Sequence, residues 1–95
     1  MKITPKGHDQ GVDIIAFKDH SKYAIQCKCY SKSVGNKAIQ EVIAGKAYYQ
    51  CEKAVVITNN FYTKAAKELA LATHVDLWDR NILIEILNEV TLYPD

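Results

Sequence analysis

The segment "GVDIIAFKDHSKYAIQCKCY", residues 11–30, decides the fold. Residues 12–17 (VDIIAF) are short, β-branched and aromatic, and residues 23–30 (YAIQCKCY) form a second run of the same kind; both read as strands. The five polar residues between them, 18–22 (KDHSK), have the length of a hairpin loop. These runs suit an interior, yet they carry Asp13, Gln26 and Lys28. Side chains two apart on a strand share a face. Gln26 and Lys28 therefore point one way, and Tyr23, Ile25, Cys27 and Cys29 the other way, into a core. Asp13 faces opposite to Val12 and Ile14. Folded as a hairpin, the strands turn Asp13 and the Gln26/Lys28 pair toward one cleft.

Working outward, residues 37–51 have apolar side chains at 39, 42, 43 and 47, the spacing of a helix that Gly45 weakens. Residues 54–59 (AVVITN) are a nearly pure apolar run, as in a strand covered on both faces. Thr63 is placed to cap a helix over 64–73. A short strand at 75–79 and a closing helix at 80–90, with Ile82, Ile86 and Val90 on one side, complete the chain. The order β-β-α-β-α-β-α predicts an α/β fold, a mixed central sheet flanked by helices.

A chain of 95 residues, 48% hydrophobic, fits one compact domain with a single core. No apolar run approaches the roughly 20 residues of a membrane span, and the first ten residues lack the apolar core of a signal peptide. A cytoplasmic protein is the expectation. The cysteines, Cys27, Cys29 and Cys51, are odd in number and argue against a disulfide framework. A zinc site joining them to His8, His20 or His74 has no CxxC or HxxxH spacing behind it. Net charge is only +1, but it is unevenly spread. Residues 18–53 hold seven lysines against three carboxylates, a net of +4, and residues 54–95 hold three cations against six carboxylates, a net of −3. The basic half contains the unusual strands, and it suits a polyanion such as nucleic acid.

Charged residues in an interior must be paired or bound to something. One reading is an Asp13–Lys28 ion pair braced by Gln26. The other is a site for an oxygen-seeking cation such as Mg²⁺, which takes carboxylates, carbonyl oxygens and water. Asp13 supplies a carboxylate, Gln26 an amide oxygen, and Cys27 a main-chain carbonyl. Lys28 then stands beside the water and a scissile phosphate, where it can orient the water and stabilise developing charge.

These residues carry a resemblance. "GHDQGVDIIA", "YAIQCKCYSKSVGNKAIQEVIAG", "AVVITNNFYTKAAKELA" and "VDLWDR" follow, in order and over nearly the whole chain, the pattern of the Mrr-type restriction endonuclease catalytic domain, within the PD-(D/E)xK nuclease superfamily. The superfamily usually has Asp…Glu-x-Lys; the Mrr branch resembles this chain in its Gln-x-Lys. The resemblance implies a restriction-endonuclease-like core and a Mg²⁺-dependent endodeoxyribonuclease, with Mn²⁺ expected to substitute. It implies Asp13, Gln26 and Lys28 as catalytic residues, with Asp13, Gln26 and the Cys27 carbonyl on the metal. Asp9 and Gly11 would shape the turn that aims Asp13. Lys32, Lys37 and Gln40 are the expected DNA contacts, Glu41 matches the same helix of the family, and Thr58 and Asn59 would line the cleft. A single domain over residues 1–95 is expected. It is expected to lack the glutamate-bearing helix with which family members usually begin, since Met1 lies twelve residues before Asp13. A homodimer and a separate DNA-recognition domain or chain are further expectations. The rival readings are a Holliday-junction-resolvase-like nuclease of the same core and a catalytically impaired DNA-binding module.

Overall fold

The computed structural model describes residues 2–4, 11–28, 31–88 and 91–92. The elements are β1 (Lys2–Thr4), β2 (Ile14–Lys18), β3 (Ser21–Cys27), α1 (Asn36–Tyr48), β4 (Lys53–Ile57), α2 (Lys64–Thr73), β5 (Val75–Trp78), α3 (Arg80–Leu87) and β6 (Thr91–Leu92). They form one mixed sheet in the order β5-β4-β3-β2-β1-β6. β1, β2 and β3 pair antiparallel in succession. β3, β4 and β5 are parallel, joined by α1 and α2, and β6 lies parallel to β1. From β2 to α3 this is the order the sequence predicts. The two short strands β1 and β6 are additions at one edge.

Period-two burial explains the sheet's two faces. On β4, Ala54 and Val56 join the first core cluster with Ala24, Ile39, Val42, Ala66 and Ala70, while Val55 and Ile57 join the second with Ala16 and Ile25. α1 packs on β3, β4 and α2, and α2 packs on β5, so the first cluster lies beneath these helices. Tyr23 and Cys27 pack against the second cluster, the inward face predicted for them; Cys29 lies outside the described residues. Cys51 belongs to the first cluster, so the sheet separates it from Cys27 and the two cannot share a zinc. Burial pushes the Cys51 thiol up, away from the reactive thiolate.

Local chemistry shortens two of the predicted segments. The loop expected at 18–22 is a two-residue turn, because Lys18 pairs with Ser21 and Phe17 with Lys22 in the ladder. Asp19 and His20 both take positive φ (51° and 68°), as a type I′ turn requires. The helix expected over 37–51 ends at Tyr48. Gln50 turns left-handed at φ 56°, and Cys51 N–H donates to Lys46 O at 2.8 Å, closing a Schellman motif. Thr63 caps α2 as predicted, accepting from Ala66 N–H at 3.0 Å. The expected stripe on the last helix falls largely outside the described side chains, which include only Ile82. Among the described residues, no helix is long and apolar enough to cross a membrane.

Candidate active site

Three strand ends meet at one end of the sheet. β2 begins just after Asp13, and antiparallel β3 ends just before Lys28. β4, parallel to β3, ends just before Thr58, and Lys28 N–H continues the ladder to Ile57 O at 2.8 Å. The carboxyl ends of parallel strands are where α/β sheets place their ligand sites.

Asp13 sits at a slip in the ladder. Its N–H donates to Ile25 O at 2.9 Å, although Ile25 is the ladder partner of Ile14. Two residues thus oppose one, in the manner of a β-bulge, which bends a strand and re-aims a side chain. The alternation of faces is lost there: Val12 packs in the first cluster and Ile14 against the second, where simple strand parity puts both on one face. The bulge lets the Asp13 carboxylate turn back over the hairpin. Its Oδ2 accepts from Cys27 N–H at 2.8 Å, taking the place of a strand carbonyl.

The turn that delivers Asp13 is pressed onto α1. Gly11 has φ +78°, and a Cβ built there would lie 2.3 Å from Glu41 O. No other residue type fits both the backbone conformation and the contact. Glu41 then reaches β3 with both oxygens. Oε2 accepts from Gln26 Nε2 at 3.2 Å, and Oε1 lies 3.6 Å from Lys28 Nζ. Gln26 and Lys28 therefore share a face, as their spacing predicts. The ion pair found on Lys28 is with Glu41, where the sequence suggests Asp13. Gln26 is only 5% exposed, and with its Nε2 committed to Glu41, its Oε1 is buried with no hydrogen-bond partner among the described residues.

Thr58, expected to line the cleft, is buried and instead positions it. Its hydroxyl donates to Lys28 O at 2.6 Å and accepts from Asn60 N–H at 3.1 Å. Asn59 is exposed. Beside Lys28 and Glu41 opens a pocket of about 120 Å³, bounded also by Lys37 and the turn of residues 33–35. Lys32, Lys37 and Gln40 are all exposed near it, on or just before the first turns of α1. The seven lysines of the basic segment do not act as one surface. Lys46 and Lys53 line a different pocket with Glu52, His74 and Asp76. Lys22 is tied by its Nζ to Tyr49 O at 2.7 Å, at the end of α1 remote from Gly35.

Glu41 is the site residue that the sequence reading underrates. A signal existed: it lies three residues after Ala38 and four before Gly45, both buried, so it belongs to the packed stripe of α1. Gln40, beside it, is solvent-facing.

The family model for the Mrr catalytic domain, described as restriction endonuclease, matches residues 1–87. A solved crystal structure of a protein of unknown function, AF1548, superposes with a TM-score of 0.65 at 22% identity, which shows likeness of fold. The superposition covers 72% of this chain and 40% of that one, so the match spans about two fifths of the length of that protein. No curated protein matches the chain.

Proposed function

The chain belongs to the restriction endonuclease family of the Mrr catalytic domain, and on that footing we propose that it is a Mg²⁺-dependent endodeoxyribonuclease domain that hydrolyses phosphodiester bonds in DNA. The observation that carries the metal-dependent part is Gln26 Oε1, buried and without a hydrogen-bond partner among the described residues. A buried carbonyl oxygen without a donor costs about 1–3 kcal/mol, and a cation would satisfy it. Asp13 Oδ1, on a carboxylate whose other oxygen is held by Cys27 N–H, is a second donor at the same strand end. These hard oxygens fit Mg²⁺ or Mn²⁺ and would hold it together with the Cys27 carbonyl. Such an ion supplies Lewis acidity at the phosphate and lowers the pKa of a bound water.

The chain's own groups do the rest. In the reaction, a water loses a proton to solvent as its oxygen bonds to phosphorus, and a P–O bond of the backbone breaks, its electron pair leaving with the sugar oxygen, which takes up a proton from solvent. Negative charge grows on the phosphate oxygens as this happens. Lys28 presents its ammonium to that charge, and Glu41 fixes where the ammonium stands. Thr58 fixes the main chain beneath it. The exposed Lys32 and Lys37 attract the neighbouring phosphates.

Plasmid nicking in Mg²⁺ or Mn²⁺, with and without EDTA, tests the proposal. Supercoiled DNA is expected to be relaxed only with free metal. Purified, folded protein that leaves plasmid intact at millimolar Mn²⁺ and shows no metal binding by calorimetry overturns it.

A further inference from the structure

The residues that hold Lys28 in place also hold out a ring that the proposed chemistry does not use. Phe61 is 78% exposed, in the loop that follows β4 at the site end of the sheet. A single exposed apolar side chain is ordinary on a protein surface. This one differs in how its backbone is built in. Phe61 N–H donates to Asn60 Oδ1 at 2.8 Å, and Phe61 O accepts from Val34 N–H at 2.8 Å. Thr63 N–H returns to Val34 O at 2.9 Å, making an isolated parallel bridge between Val34 and Tyr62. Val34 is buried and borders the pocket shared by Lys28, Lys37 and Glu41. One and three residues before the ring, Asn60 N–H and Thr58 Oγ1 link the loop to Lys28 O. A flat apolar group is thus carried on a fixed loop beside a cationic pocket.

A nucleotide has the complementary layout, a phosphate for the lysines and an aromatic face for the ring. In continuous duplex, each base face is covered by its neighbours. We propose that Phe61 stacks on a nucleobase next to the phosphate that lies at Lys28, so that the chain prefers DNA with an unpaired base at the cut over continuous duplex. The inference rests on the reading of DNA as substrate.

The test is binding of three oligonucleotides in EDTA, where no cleavage occurs: a single strand, a continuous duplex and a duplex with one bulged 2-aminopurine. Wild-type protein is expected to bind the single strand and the bulged duplex more tightly than the continuous one and to quench the 2-aminopurine. Phe61→Ala is expected to weaken binding to the first and third by roughly 5- to 150-fold, the span of one lost base stack, and to leave the continuous duplex unchanged. Phe61→Leu, apolar but not aromatic, should stay weak. Phe61→Trp should recover tight binding, and its emission should fall on adding bulged DNA beyond any change from Trp78 in wild type. The exposed ring contributes little to the core, and circular dichroism melts verify that the variants fold. Equal affinities of wild type and Phe61→Ala for all three DNAs, or equal losses on all three, overturn the stacking role and leave the nuclease reading intact. Wild-type protein that binds none of the DNAs and nicks no plasmid overturns both.

Discussion

Gln26 and Lys28 meet one carboxylate, Glu41, and that arrangement makes their substitutions separable. Lys28→Ala removes an ammonium that is largely buried against a half-buried Glu41, which keeps its contact with Gln26, so the fold should lose about 1–3 kcal/mol. Cleavage should fall by at least about 10²- to 10³-fold, the scale of one lost transition-state contact. Melting and nicking assays on the same preparation check this; a variant that is mainly unfolded would mean the lysine serves structure. Gln26→Glu puts a second carboxylate where an amide now sits 3.2 Å from Glu41 Oε2. Without metal, the like charges should lower the thermal midpoint. With Mn²⁺ the midpoint should recover and rise further than in wild type, because ligand binding to the native state adds stability. An equal drop with and without Mn²⁺ would remove Gln26 from the metal site. Asp13→Asn keeps an acceptor for Cys27 N–H and should bind no metal while remaining folded. Much at this scale was legible in the sequence. A carboxylate, an amide and an ammonium at strand spacing inside apolar runs have few uses, and parity alone groups Gln26 with Lys28. Glu41 was harder to see, because a glutamate on a helix is usually solvated and its role depends on a contact across 15 residues.

Short-range devices hold these residues where the elements meet. Gly11 is the sharpest of them, with φ +78° and α1 backbone in contact range. Gly11→Ala should cost about 1–3 kcal/mol from backbone strain alone. It should also push the Asp13 turn away from Glu41, so metal affinity by calorimetry should fall although no ligand has changed. Wild-type metal affinity in a destabilised Gly11→Ala would show that the turn does not aim Asp13. At the other loop, the Tyr62 hydroxyl lies 2.8 Å from Val56 O and 2.9 Å from Trp78 O, joining the ends of β4 and β5. Burial, and secondarily Asp79, hold its pKa well above the ordinary tyrosine value of 10.0. The folded state thus favours the protonated phenol. That stability is fully present below about pH 10, the unfolded value, and is lost as pH rises above it toward the folded pKa. Melts of wild type should show a steeper alkaline fall above about pH 10 than Tyr62→Phe, which keeps only the part due to groups such as the buried Cys51 thiol, while the variant should lose about 1 kcal/mol at neutral pH with the hydrogen bond. The long elements were readable because their periods are strong. β1 and β6 were not, because three and two residues are too few to show a period. The left-handed positions at His20 and Gln50 carry no glycine, so the true ends of the hairpin turn and of α1 had no local marker.

Across the whole molecule, the fold divides what the linear charge pattern joins. The net of +4 over residues 18–53 suggests one basic surface, but the hairpin and α1 run between opposite ends of the sheet and deliver their lysines to both. Lys28, Lys32 and Lys37 come to the end where β3 and β4 finish. Lys46 and Lys53 come to the opposite end, in a pocket shared with Glu52 and Asp76, whose charges offset theirs. A phosphate contact releases condensed counterions, so each one adds about 0.9 to the slope of log K against log salt on duplex DNA. If DNA lies on the Lys28 end, Lys32→Ala and Lys37→Ala should each reduce the measured slope by about 1 and weaken binding nearly uniformly across sequences. Lys46→Ala and Lys53→Ala should leave the slope unchanged. Fluorescence anisotropy titrations between low and moderate salt, on one duplex and all four variants, give the comparison directly. Equal slope changes at both ends would mean that DNA follows the summed charge of the segment. A change confined to Lys46 and Lys53 would move the DNA to the far pocket, away from Asp13 and Lys28, and the proposed active site could not then reach the strand it is meant to cut.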